Sequence, residues 1–127
     1  MARAAVAPKG PSEYDFHRSV IFYLTKALDQ HAMFFHSPNG GYRYATEAAR
    51  LKSMGVIAGL PDIGIVHAGR VAFLELKAKR GRVSPAQAYC HQRLLEAGST
   101  VSVCRTLSDV EAALKRAGIP VKARVML

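Results

Sequence analysis

The chain of 127 residues has no tryptophan, only two cysteines, and nine acidic residues against eighteen lysines and arginines. Each scarcity excludes something. Cys90 and Cys104 are too few for a disulfide framework, and they match no zinc or redox spacing, so they read as packed, reduced thiols. No apolar run approaches the ~20 residues of a membrane span, and Met1 to Pro11 is Ala/Pro/Lys-rich without the apolar centre of a signal peptide. A cytoplasmic protein with no membrane partner is the expectation. The shortage of acid leaves a net charge of +9 and a pI near 10.0, which favours a polyanion as partner through phosphate contacts and counterion release. A hydrophobic content of 50% argues against disorder, and the length suits one core. With no internal repeat in view, the expected organisation is a flexible basic tail over 1–11 and a single domain over 12–127.

Against this background one segment carries chemistry. Asp62-Ile63-Gly64-Ile65-Val66-His67 and Val71 to Ala78 are short runs rich in β-branched and aromatic residues, parted by Ala68-Gly69-Arg70. They predict an antiparallel hairpin. Alternation along the second strand puts Ala72, Leu74, Leu76 and Ala78 on an apolar face and Phe73, Glu75 and Lys77 on the other. Glu75 and Lys77 interrupt a strand that otherwise reads as buried, which is costly unless they are paired, solvated in a cleft or bound to a metal. Leu60-Pro61-Asp62 starts the first strand, so two carboxylates and an amine come together.

That set is what metal-dependent phosphodiester hydrolysis needs. Asp62 and Glu75 offer hard oxygen ligands, the backbone carbonyl of Leu76 offers a third, and the remaining octahedral positions of Mg²⁺ fall to waters and phosphate. Lys77 stands where it can orient or deprotonate the water and offset transition-state charge. The plain alternative is a turn-forming aspartate and a surface Glu-Lys pair worth ~0–1 kcal/mol. His31, His36, His67 and His91 fall at no metal-ligand spacing and are not site candidates.

The remaining elements frame the hairpin. A first helix starts at Ser12, capped with Asp15 three residues on, and presents Phe16, Val20, Tyr23, Leu24 and Leu28 on one face. Met33 to His36 predicts a strand ending in the Pro38-Asn39-Gly40-Gly41 turn. Thr46 to Met54 predicts a short helix or helical loop capped by Thr46 and stopped by Gly55. Ser84 to Ala97 is the clearest helix, with Ser84 as cap, Pro85 at the first position, Gln87 closing a capping box and Gly98 at the C-terminal turn. Thr100 to Cys104 follows as a strand parallel to that of Glu75, and Ser108 to Ala117 as a last helix with Ser108 and Glu111 as its capping box. Residues 119–127 are apolar enough for an edge strand or a dimer arm. The fold class is therefore α/β, a mixed β-sheet flanked by α-helices.

Gly59-Leu60-Pro61-Asp62, Phe73-Leu74-Glu75-Leu76-Lys77, Gly81 to Gln87 and Ala97-Gly98 before Val101-Ser102-Val103, in that order, resemble the VRR-Nuc family of the PD-(D/E)XK nuclease superfamily. The similarity begins near Glu13, passes through Ser37 to Gly41 and runs to about Gly118. It implies a restriction-endonuclease-like fold and a divalent-metal-dependent DNA endonuclease using Mg²⁺ or Mn²⁺. Asp62 and Glu75 would bind the metal, Lys77 would be the active-site lysine, Gln87 would line the site, and Glu13 would be a further carboxylate. Gln87 thus has two candidate roles, helix cap and site residue. The family often has glutamine one turn after that glutamate, where this chain has His17.

Single-domain members of the family resemble Holliday junction resolvases and act as homodimers, so branched DNA is the expected substrate. Flaps, duplex DNA, or DNA binding without turnover are the alternatives. Lys79, Arg80 and Arg82 after the site, with Arg43, Tyr42 and Lys52 before it, are the candidate DNA contacts.

Overall fold

Ser12 does what its position suggests. Its hydroxyl accepts from the Asp15 amide at 3.0 Å and starts α1 (Glu13–Ala27), whose stripe of Phe16, Val20, Tyr23, Leu24 and Ala27 is buried. The computed structural model describes residues 12–38, 45–123 and 125. The tail over 1–11, the Asn39-Gly40-Gly41 turn, Tyr42 and Arg43 lie outside the described residues. After α1 come β1 (Ala32–His36), α2 (Ala45–Ser53), β2 (Ile63–His67), β3 (Arg70–Leu76), α3 (Pro85–Glu96), β4 (Thr100–Cys104) and α4 (Leu107–Arg116).

The four strands form one sheet in chain order, β1 antiparallel to β2, β2 antiparallel to β3, and β3 parallel to β4. The hairpin is tighter than the sequence suggests, because Arg70 already belongs to β3. Only Ala68 and Gly69 turn the chain, and both have positive φ, 49° and 80°, as a two-residue turn matched to strand twist requires. At the far end β3 stops at Leu76, so Lys77 and Ala78 stand just past it, although the Lys77 amide still donates to the Cys104 carbonyl at 3.0 Å.

Helices α1 and α4 cover one face of the sheet, where Ile63, Ile65, Ala72, Leu74, Leu76 and Cys104 meet Val20, Leu24, Val110 and Leu114. Helix α3, the crossover between β3 and β4, lies over the opposite face and reaches Glu75. The result is the mixed sheet flanked by helices expected above.

Three local expectations are corrected. Helix α4 starts at Leu107, not Ser108: Thr106 Oγ1 accepts from the Asp109 amide at 3.1 Å, and Asp109 reciprocates on the Thr106 amide at 3.2 Å. Thr106 and Asp109 satisfy the same capping pattern two residues earlier, and Glu111 is released to accept from the Val125 amide. Thr46 is the second residue of α2 rather than its cap. The C-terminal segment forms no strand among the described residues. Instead Ile119 is buried, Val121, Ala123 and Val125 pack on the core, the Lys122 amide donates to the Ala27 carbonyl at 2.8 Å, and Tyr23 donates its hydroxyl hydrogen to the Ala123 carbonyl at 3.2 Å. These described apolar residues are used within the domain.

Leu24, fully buried where α1 meets the sheet, carries the helix docking. Leu24→Ala is expected to lower the unfolding free energy by ~2–5 kcal/mol in urea denaturation.

Candidate active site

The aspartate of Leu60-Pro61-Asp62 is tied at both ends. Its carbonyl accepts from the Ser37 amide at 2.8 Å and lies 2.8 Å from His36 Nδ1, which holds the end of β1 against the start of β2. Its carboxylate Oδ2 accepts from the Leu76 amide at 2.7 Å. That bond pins the side chain across to the last residue of β3, beside Glu75. The N–H of Leu76 thus engages Asp62.

Glu75 is 1% exposed and Lys77 8%, both on the face turned away from Leu74 and Leu76. The Glu75 carboxyl hydrogen-bonds to that of Asp62. Burial, reinforced by the Asp62 carboxylate, pushes the Glu75 pKa up to about 8, against the opposing pull of the Lys77 ammonium. At neutral pH Glu75 therefore holds a proton where a cation would otherwise balance two facing carboxylates. Such a pair is the donor set of a hard, oxygen-seeking ion such as Mg²⁺, which takes one or two carboxylates and fills its remaining positions with water and phosphate. Among the described residues no three His, Cys, Asp or Glu side chains converge as a closed metal cage.

Gln87 closes the capping box and also reaches toward Glu75. Its Oε1 accepts from the Ser84 amide at 2.9 Å and its own amide donates to Ser84 Oγ at 3.2 Å, completing the capping box, while its Nε2 points to Glu75 Oε2 at 3.5 Å. One turn on, His91 Nε2 sits 2.9 Å from Glu75 Oε1. Sequence reasoning passed over His91 because it looked for metal-ligand spacing. The available signal was helical, since Gln87 and His91 are four residues apart and share a face. Burial and the Lys77 charge push the His91 pKa down, so the imidazole is neutral at pH 7.

Glu13 is exposed in the first turn of α1, and its charge acts on both Glu75 and His17. His17 packs edge-on against His36 with ring centroids 4.5 Å apart, and burial together with His36 lowers its pKa. Lys79, Arg80 and Arg82 are exposed on the segment after Lys77. Arg105, which the sequence reading overlooked, holds that segment by donating from Nη1 to the carbonyls of Ala78 at 2.8 Å and Gly81 at 2.7 Å. Lys52 is exposed on α2, a helix that buries none of its residues.

Gly59 has a physical reason to be glycine. Its φ is +81°, and a Cβ there would collide with the carbonyl of Ala86 and the amide of Gln87 in the first turn of α3. The approach to Asp62 and the helix that bears Gln87 and His91 are therefore in backbone contact.

Two solved structures share this architecture. One, described as a VRR_NUC domain protein, superposes with a TM-score of 0.67 at 24% identity over 87% of this chain and 90% of its own. Another, described as a VRR_NUC domain, gives a TM-score of 0.54 at 16% identity over 83% and 97%. At these identities the likeness establishes the fold, which is the restriction-endonuclease-like α/β arrangement. No protein-family model matches the sequence, and no curated protein does.

Two outcomes are expected. Gly59→Ala should cost at least ~2 kcal/mol in chemical denaturation, from the left-handed backbone and the clash with α3 together. In the metal-free protein, melting temperature should fall as pH rises from about 7 to 9. A carboxyl whose folded pKa lies above its unfolded value stabilises the fold while protonated and loses that contribution as pH passes the folded pKa. The histidines His17 and His91 contribute with the opposite sign, but only near and below their unfolded pKa of 6.5. Glu75→Gln should flatten the slope.

Proposed function

We propose that this chain is a VRR-Nuc-type nuclease that hydrolyses DNA phosphodiester bonds with Mg²⁺ or Mn²⁺, acting as a homodimer on branched DNA of the Holliday-junction kind. The observation that carries the reading is the buried Glu75 carboxyl facing the half-buried Asp62 carboxylate beside Lys77, on a fold shared with the VRR_NUC structures. The branched substrate and the homodimer come from the resemblance of the Gly59 to Asp62, Glu75 to Lys77 and Ser84 to Gln87 motifs to stand-alone family members.

Asp62 and Glu75 would hold the ion, with the Leu76 carbonyl and Glu13 as further oxygens; once bound, it supplies Lewis-acid polarisation of the phosphate and an acidified water. The chain's own groups do the rest. Leu76 N–H holds the Asp62 carboxylate in place, and the Gln87 amide approaches Oε2 of Glu75. Lys77, buried at the mouth of β3, offers a charge that offsets what develops on the phosphoryl oxygens and a donor that orients the attacking water. Lys79, Arg80, Arg82, Lys52 and Arg43 would contact the DNA backbone, and Tyr42 would stack on a base or sugar.

The test is cleavage of a synthetic four-way junction beside flapped and linear DNA of the same arms, in Mg²⁺ and in Mn²⁺. Paired nicks on the junction are expected, abolished in Asp62→Ala and Glu75→Ala and slowed by about 100-fold or more in Lys77→Ala. Arg80→Ala should weaken binding evenly across sequences and reduce the salt slope by ~1 for each phosphate that is no longer neutralised. Equal cutting of flapped and linear DNA would replace the branched substrate with a general one. Binding with no Glu75-dependent cutting on any substrate would leave a DNA-binding module.

A further inference from the structure

Helix α3 turns a narrow stripe toward the sheet: Gln87, Cys90, His91 and Leu94 are its least exposed residues, at the i, i+3, i+4, i+7 spacing of a docking face. Cys90 alone is fully buried. Two of these four inward positions are polar, and both touch one group, the Glu75 carboxyl. A helix serving only to cover the sheet would fill such a stripe with aliphatic residues. The imidazole of His91 and the amide of Gln87 instead divide the carboxyl between them, His91 on Oε1 at 2.9 Å and Gln87 on Oε2 at 3.5 Å.

We propose that His91 is the positioning residue for Glu75, donating from Nε2–H to Oε1 so that the carboxylate presents Oε2 toward Asp62 and a bound divalent cation. The inference rests on the metal-dependent reading above and adds to it the residue that sets ligand orientation. An ionised carboxylate only accepts hydrogen bonds, so once a cation has displaced the Glu75 proton, Nε2 must be the donor and the neutral imidazole is held in that tautomer. The Oε1 bond then restrains the Glu75 side chain, which would otherwise lose rotamer freedom on binding the ion. Gln87 is less suited to the task, because its Oε1 end is committed to the Ser84 amide and its contact with Glu75 is longer.

The experiment is calorimetric titration of Mn²⁺ into the full metal-free chain without DNA, for wild type, Glu75→Gln, His91→Met and His91→Gln. Circular dichroism checks that each variant is folded. Methionine keeps bulk and removes the donor; glutamine places an amide nitrogen near the position of Nε2. His91→Met should weaken Mn²⁺ binding about 10- to 100-fold, the usual effect of removing a partner that orients a ligand, and His91→Gln should recover most of it. Cleavage by His91→Met should be restored by raising Mn²⁺, with the KM for DNA at saturating metal unchanged. Wild-type affinity in His91→Met, or equal weakening in two folded variants, would overturn the assignment. Failure of the wild type to bind Mn²⁺ at all would instead remove the metal-dependent reading, and this inference with it.

Discussion

A carboxyl group buried at the centre of a sheet is the constraint on which this structure turns. Glu75 sits on β3, a strand paired on both sides, where an unpartnered carboxylate would be prohibitively costly. Every element that reaches it answers that demand. Asp62 comes from the start of β2, Lys77 from the end of β3, and Gln87 and His91 from α3. In the absence of a cation, a proton completes the arrangement, and the raised pKa of Glu75 records it. The opposite face obeys the same rule on a smaller scale, since the buried hydroxyl of Ser102 accepts from Arg116 at 2.8 Å. Among the described residues no buried side-chain nitrogen or oxygen lacks a partner.

The site depends on register. Ile63 pairs with Leu74, and the two-residue turn at Ala68-Gly69 allows no slack between β2 and β3. A slip of one residue would bring Glu75 to the face occupied by Val20, Leu24 and Leu114 and send Leu74 to the site. The apolar core therefore holds the geometry of the candidate site as well as the fold. Gly64 tightens the same hairpin from the other side, lying against the ring of its cross-strand partner Phe35, where a side chain would have no room.

Short-range pattern made much of this legible. Alternation placed Glu75 and Lys77 on one face and Leu74 and Leu76 on the other, and capping residues located α1 and α3 to within a residue. What the sequence hid was long-range or degenerate. His91 gains its partner only when α3 folds back over β3, sixteen residues away in the chain, and nothing in its neighbours announces Glu75. Arg105 acts through main-chain carbonyls of a segment more than twenty residues earlier, a contact with no side-chain signature. The start of α4 was missed for a different reason: Thr106 with Asp109 and Ser108 with Glu111 both fit a capping pattern, and burial of Val110, Ala113 and Leu114 does not separate them. For Gln87 the cap does not preclude a contact with Glu75, because a primary amide has two ends and this one turns its oxygen to the Ser84 amide and its nitrogen to Glu75.

The charge distribution bears on the proposed polyanionic substrate. Nine carboxylates are not enough to neutralise eighteen basic side chains, and the structure does not spend them that way. Among the described residues the basic side chains within 4 Å of a carboxyl group are histidines, His67 beside Asp29 and His91 beside Glu75, and none is a lysine or arginine. Asp109 and Glu111 are committed to backbone amides, and Asp62 to Leu76 and Glu75. Arg105 organises the segment bearing Lys79 and Arg80 through neutral carbonyls, so its own charge adds to theirs rather than being cancelled. Positive charge is thus left available around a centre that is itself acidic. That asymmetry suits a phosphate backbone, drawn in by the surrounding cations with release of counterions and repelled by Asp62 and Glu75 until a divalent cation lies between them.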